Sequence, residues 1–168
     1  MRTGTGWDIH RLISGRPLIL AGVPIPSDRG ADAHSDGDAA IHALIDALLG
    51  AAALGDIGTH FPPGDDAFKD IDSALLLKKT LSLISDYRII NIDITIVLQN
   101  IRLAPHISEM RERLAILLDL PVTAVSVKAK TAEKLLGELG TGEAVEAMAS
   151  VLLQEKTVSL ETEGDQWV

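Results

Sequence analysis

With 168 residues, 46% of them hydrophobic, the chain is long enough for one domain with a real core. It has no cysteine, which excludes disulfides and thiolate metal sites, and only 3% aromatics, so that core must be built from Leu, Ile, Val and Ala. A formal charge of −9 argues against binding nucleic acid or an anionic membrane surface, and any anionic ligand must be neutralised by something other than net charge.

Residues 2 to 11 read as a strand containing "GWDIH". Strand residues i and i+2 share a face, so Asp8 and His10 present an oxygen and a nitrogen side by side. A pair of this kind is also compatible with a plain surface strand end. The next apolar stretch, Ile13 to Ile25, is broken by Gly15, Arg16, Pro17 and Pro24, and no run approaches the length of a membrane span. A soluble cytoplasmic protein is therefore expected. Within that stretch, "PLILAGVPIP" (Pro17 to Pro26) reads as a second strand ended by prolines.

Ser27 to Asp38 has loop chemistry, and a helix follows in which Ile41, Leu44, Ile45, Leu48 and Leu49 recur at helical spacing. Ser35 with Asp38 three residues later resembles a capping box. His34 and Ser35 precede this helix, whose free N–H groups suit phosphate; the plainer alternative is that Ser35 only caps the helix, and the two roles are compatible. His42 on the same helix could join Asp8 and His10 as a third ligand, because two histidines and an aspartate with one open position form a zinc catalytic set. Asp46, one turn later, is either a group that orients a ligand or a solvated carboxylate. "DIG" (Asp56 to Gly58) is a polar turn suited to a polyol, or a helix end with Gly55 as its left-handed residue.

A helix is expected over about Asp72 to Tyr87. "IINIDITIVLQ" then alternates, with Ile90, Ile92, Ile94, Ile96 and Leu98 on one face and Asn91, Asp93 and Thr95 on the other, as in a half-buried strand. Pro105 opens a helix that ends near Asp119, and Ala124 to Lys130 is a further strand. At its end "KAKTAEK" offers the Thr131 hydroxyl and the Glu133 carboxylate, a hard ligand for magnesium or manganese, though such a stretch can also be a mere strand end. Gly142 to Glu155 is expected to be a last helix, and the polar tail 156–168 to be frayed. The predicted order is β-β-α-α-β-α-β-α. It describes a single-domain α/β sandwich over residues 1–155, a mixed four-stranded sheet with helices packed on one face.

Taken together, "GWDIH", "AHSDGDAAIHALIDALLGAAALGDIG", "FPPGDDAFK", "APHISEMR" and "VKAKTAEKL" closely resemble the motifs of the 2-C-methyl-D-erythritol 2,4-cyclodiphosphate synthase family, from residue 1 to about 155. The resemblance implies an enzyme of non-mevalonate isoprenoid synthesis, a phosphorus–oxygen lyase. In its reaction the 2-phosphate of a CDP-linked methylerythritol attacks the β-phosphorus of the diphosphate, and CMP leaves. It implies that Asp8, His10 and His42 bind one zinc-type cation, and that Glu133 holds a second ion, magnesium or manganese, with the substrate diphosphate. His34 and Thr131 then match transition-state stabilisers. Ser35, Asp65 and the erythritol-site residues Asp56, Ile57 and Gly58 match substrate contacts. Leu98, Arg102, Leu103, Ala104, Ala129 and Lys130 match the cytidine pocket. A homotrimer is implied, with active sites between subunits, in a bacterial cytoplasm or as a mature plastid chain, and with neither nucleic acid nor membrane as a partner. The alternatives are a divalent-metal phosphohydrolase of a nucleotide diphosphate and a non-catalytic, metal-dependent trimeric binding module.

Departures from the family pattern are Trp7 in place of the more usual Phe, "NIRLAPH" with Arg102 keeping the positive charge, and the altered loop "FPPGDD". "LLGELGTGEAVEA" (Leu135 to Ala147) is one residue longer than the common form and lacks an arginine near Thr141. Because that arginine meets an isoprenoid diphosphate on the trimer axis of some members, weak axial binding or none is expected here.

Overall fold

Alternation of side chains along Arg2–Ser14 makes this stretch one strand, β1, whose even positions Gly4, Gly6, Asp8 and His10 turn inward while Trp7 and Ile9 stay exposed. The computed structural model describes residues 1–156 apart from 63, 66, 67 and 69; part of the "FPPGDD" loop and the tail 157–168, expected to be frayed, lie outside the described residues. The expected strand Pro17 to Pro26 is instead a small hairpin, β2 (Leu18–Leu20) and β3 (Val23–Ile25). Ala21 and Gly22 both take positive φ, 54° and 73°, as a two-residue hairpin turn requires. A short strand, β4 (Arg29–Ala31), lies within the expected loop and pairs with the end of β1.

Helix α1 (Ala39–Ala52) follows, as its apolar period predicts, and Ile41, Leu44, Ile45, Leu48 and Leu49 are fully buried. Asp38, not Ser35, is its cap: the carboxylate accepts the N–H of Ile41 at 3.0 Å. It also accepts the N–H groups of Ala21 and Gly22 at 2.9 and 2.6 Å, tying the β2–β3 turn to the helix start. Burial pushes the Asp38 carboxyl up to about 6, against the pull of those three backbone bonds, which favour the anion. The left-handed residue ending α1 is Ala53 rather than Gly55, which takes a positive φ two residues further on.

The polar turn expected at Asp56 to Gly58 opens a single helical turn, α2 (Ile57–His60), with Asp56 as its cap. Helix α3 (Ser73–Leu83) stops short of Tyr87, which already belongs to strand β5 (Tyr87–Val97). Ile92, Ile94, Ile96 and Leu98 are buried as their alternation predicts; an irregularity between Ile89 and Asn91 takes Ile90 out of register. A 3₁₀ turn at Ala104–His106 carries Pro105 and leads into α4 (Ile107–Leu118), which ends at a left-handed Asp119. Helix α4 is the crossover between β5 and the parallel strand β6 (Val125–Lys130), and a short α5 (Glu138–Thr141) precedes the last element.

That last element corrects the sequence reading. Ala144–Glu155 is a strand, β7, not a helix, and it lies at the centre of a five-stranded sheet of order β4-β1-β7-β5-β6. The expected four-stranded sheet therefore gains β4 and β7, while β2 and β3 form a sheet of their own. Ala, Glu, Met and Leu are good helix formers, which disguises the stretch. Ten residues of β1 and ten of β5 nonetheless offer it ladder partners on both sides. Val145, Ala147, Ala149, Val151 and Leu153 face the helices and are buried, and the small alanines leave room for α1 above them. The mixed sheet with its helical layer on one side agrees with the expected class. Its other face presents Trp7, Ile9 and Met148 as exposed apolar residues.

Candidate active site

Gly6 lets the site form. A side chain there would place its Cβ 2.0 Å from the Ala43 carbonyl oxygen, so α1 rests directly on the β1 backbone. The close seat carries His42, next to Ala43, onto the two residues that follow Gly6 and Trp7 on the same face of β1. His10 Nε2 lies 2.9 Å from Asp8 Oδ2, His42 Nδ1 lies 3.0 Å from the same oxygen, and the two ring nitrogens are 3.1 Å apart. Three donor atoms thus converge on one point. The edge of a tetrahedron with bonds of about 2.0 Å is about 3.3 Å, so the triangle fits a zinc-type ion with a position left open. Among the described residues Asp8, His10 and His42 are the group of potential ligands found to converge in this way.

Electrostatics agree. Burial opposes the charge on Asp8, yet hydrogen bonds with His10 and His42 and the charge of both rings hold its carboxyl well below the usual range. Burial likewise works against a charge on His42, but Asp8 outweighs it and the ring's pKa is raised. The far nitrogen, His42 Nε2, lies 2.9 Å from Ser73 Oγ and 3.2 Å from Ser35 Oγ.

The triad forms part of a cavity of about 260 Å³ that His34, Ser35, Ile57 and Gly58 also line. Seven of the expected site residues therefore meet in one place. Its apolar wall of Phe61, Phe68, Ile71 and Leu76 was not picked out in the sequence. The signal for it was the chain's only two phenylalanines, seven residues apart in the loop; their rings meet edge to face at 5.5 Å. Asp56 accepts the N–H and hydroxyl of Thr59 at 2.8 and 2.7 Å, which lowers its pKa, and it is not among the residues lining the cavity. Asp65 is exposed in the loop, where its carbonyl accepts the Phe68 N–H at 3.0 Å, and it too stands apart from the lining. Asp46 neither touches the triad ligands by a hydrogen bond nor stands free in solvent: it accepts the Ile57 N–H at 2.7 Å and so pins α2 to α1.

The other expected residues gather elsewhere. Leu98, Arg102, Leu103, Ala104, Ala129, Lys130, Thr131 and Glu133 line a second cavity of about 330 Å³, between the ends of β5 and β6 and the turn before α4. Thr131 Oγ1 donates to the Glu133 carboxylate. Glu133, Lys134 and Leu136 all take positive φ, 51°, 61° and 63°, so the turn that presents Glu133 is locally strained. His34 and Thr131, both expected to stabilise the transition state, thus line different cavities of a single chain. A further cavity, of about 410 Å³, lies near Arg29, Asn100 and Glu143 and shares only Leu98 with the expected residues. Glu143 accepts from the Thr141 hydroxyl at 3.2 Å, and Gly142 between them takes a positive φ of 80°, which favours glycine.

Fold and triad together define an α/β protein with a two-histidine, one-aspartate centre suited to a divalent metal. The chain belongs to the YgbB family, whose model matches residues 1–154. Similar proteins include one from Syntrophobacter fumaroxidans, 54% identical over 92% of this chain and 98% of its own length. Another, from Moorella thermoacetica, is 53% identical over 93% of this chain and 96% of its own. Both are named 2-C-methyl-D-erythritol 2,4-cyclodiphosphate synthase. A solved structure of that synthase in its CDP-bound form matches with a TM-score of 0.84 at 41% identity, over 91% of this chain and 100% of that one. The bifunctional IspDF of Campylobacter jejuni matches with a TM-score of 0.88 at 42% identity, over 92% of this chain and 42% of its own. The family resemblance carried by the motifs is borne out. Among the described residues no helix is long and apolar enough to cross a membrane.

Proposed function

We propose that this chain, through its domain 1–155, is a phosphorus–oxygen lyase that closes 4-diphosphocytidyl-2-C-methyl-D-erythritol 2-phosphate into 2-C-methyl-D-erythritol 2,4-cyclodiphosphate and CMP. The observation that carries the reading is the convergence of Asp8, His10 and His42 in a cavity shared with His34, Ser35, Ile57 and Gly58. The names of the relatives support it.

An oxygen of the 2-phosphate forms the new bond to the β-phosphorus, the bond from that phosphorus to the bridging oxygen breaks, and CMP departs with the electron pair. The attacking phosphate is already ionised at neutral pH, so no general base is needed. The work left to the protein is to bend the substrate and to offset crowded negative charge. A zinc-type cation held by Asp8, His10 and His42 supplies Lewis-acid neutralisation of phosphate charge when bound. His34 and Ser35 meet the phosphates beside the triad, and the Ile57–Gly58 turn, fixed by Asp46, meets the erythritol with Asp56. Phe61, Phe68, Ile71 and Leu76 exclude water from that side. Glu133 holds the second ion, magnesium or manganese, and Thr131 assists at the diphosphate. Leu98, Arg102 to Ala104, Ala129 and Lys130 seat the cytidine, and Asp65 contributes from the loop.

Two cavities in one chain, which hold seven and eight of these residues, support a homotrimer in which the nucleotide pocket of one subunit completes the metal cavity of the next. The exposed Trp7, Ile9 and Met148 on the open sheet face supply apolar surface for that assembly. Arg11, 3.5 Å from Glu138, shares a small cavity with Glu143 in the segment that lacks the family's arginine. A bacterial cytoplasm suits the bacterial relatives.

Incubating the purified protein with the CDP-linked substrate is expected to yield the cyclic diphosphate and stoichiometric CMP. A linear phosphate product would point to a phosphohydrolase, and no turnover with metal bound would point to a binding module. Light scattering at micromolar protein is expected to give the mass of a trimer; an active monomer would contradict the shared site.

A further inference from the structure

We propose that Ser73 and Asp36 are positioning residues that hold a proton on Nε2 of His42, so that Nδ1, beside Asp8 and His10, is the nitrogen that binds a metal. The inference rests on reading the triad as a metal centre. Neither residue touches the triad cavity; both act from behind the ring.

Ser73 is the first residue of α3 and is fully buried. Its hydroxyl donates to Asp36 Oδ1, its backbone N–H donates to Asp36 Oδ2 at 3.0 Å, and the Asp38 N–H reaches Asp36 Oδ1 at 3.2 Å. Three donors on one carboxyl group describe a carboxylate, which can only accept. A serine has one hydroxyl proton, and here Asp36 takes it. Toward His42 Nε2, 2.9 Å away, Ser73 Oγ can therefore only accept. The ring proton must then sit on Nε2. Ser35 Oγ, which accepts the Gly37 N–H at 3.1 Å, lies 3.2 Å from the same nitrogen and can share that proton. Nδ1, 3.0 Å from Asp8 and 3.1 Å from His10, then gives up the proton it shares with Asp8 when a metal arrives, and its lone pair is the one the metal takes. Reversing the chain of hydrogen bonds would leave the lone pair on Nε2 instead. Asp36 belongs to the "SDGD" loop and Ser73 to α3, so two separate elements enforce one tautomer.

The test uses the full-length wild type, Ser73→Ala and Asp36→Asn, stripped with a chelator and titrated with zinc against a chromophoric competitor. Long-range ¹H–¹⁵N spectra of the zinc-loaded proteins report which ring nitrogen of His42 carries the proton. The wild type is expected to bind zinc with Nε2 protonated. Ser73→Ala is expected to lose about 10- to 100-fold in zinc affinity, with turnover restored by excess zinc at unchanged KM. Asp36→Asn, whose amide can donate to Ser73 and let Ser73 donate to His42, is expected to weaken zinc binding as well. If Ser73→Ala does not fold, Asp36→Asn decides alone. Zinc affinity within twofold of wild type in the folded variants, or lower stability without lower affinity, would overturn the positioning role while leaving the metal centre standing. Failure of the wild type itself to bind zinc would remove both.

Discussion

Replacing His42 by alanine is expected to abolish turnover while the fold survives. His42 supplies one of only three converging donors, and two protein ligands rarely hold zinc in a catalytic site. A metal acting as Lewis acid contributes several kcal/mol to such a transition state, so a loss of about 4 kcal/mol would slow the reaction by about 10³-fold. Helix α1 does not depend on the ring, because Ile41, Leu44, Ile45, Leu48 and Leu49 remain fully buried beneath it. Circular dichroism should match the wild type, metal analysis should show a depleted site, and the cyclisation assay should fall to background. Near-normal activity with full metal occupancy would remove His42 from the centre.

Gly6→Ala should damage stability and site together. The new methyl would lie 2.0 Å from the Ala43 oxygen, 2.6 Å from the Ala47 nitrogen and 2.8 Å from the Asp46 Cβ. Ordinary contact between such atoms is about 3.5 Å, and two of the three belong to helix backbone that cannot rotate away. Helix α1 has to lift from β1. Overpacking of this kind costs about 1–3 kcal/mol and occasionally more. Lifting α1 also draws His42 from Asp8 and His10, so zinc affinity should fall along with the melting temperature. Gly50→Ala is the contrast on the same helix: the nearest atom to its Cβ is 3.9 Å away, and alanine there should be neutral or stabilise by up to about 1 kcal/mol. A Gly6→Ala protein that melts like the wild type, or a Gly50→Ala protein that falls as far, would show that α1 is not seated as described.

Much of the site was legible because its ligands lie in regular elements. The i, i+2 spacing of Asp8 and His10 guarantees a shared face once β1 forms, and the apolar period of α1 guarantees a buried helix that can carry His42. The alternation in β5 was equally plain. Other features misled. Asp38 rather than Ser35 caps α1, since the residue whose carboxylate reaches the Ile41 N–H is decided by the path of the "SDGD" loop around Gly37, φ 73°. Ser35 instead stands beside His42. Asp46 could not be assigned from α1 alone, because its partner is a backbone N–H that exists only after the chain has turned at Gly55.

By itself the sequence determined the class of the protein, the family motifs and the faces on which the ligands lie, because side-chain periodicity and short-range spacing are local properties of the backbone. Tertiary structure alone decided that Ala144–Glu155 is the central strand: two long neighbours satisfy its backbone and override a helical composition. The same long-range contact of α1 with β1 turned a two-residue motif and a distant histidine into one centre, and packing placed Asp36 and Ser73 behind the ring. Closing a triangle of about 3 Å between residues 8, 10 and 42 depends on how near two backbones can come, which Gly6 permits and no spacing in the chain encodes.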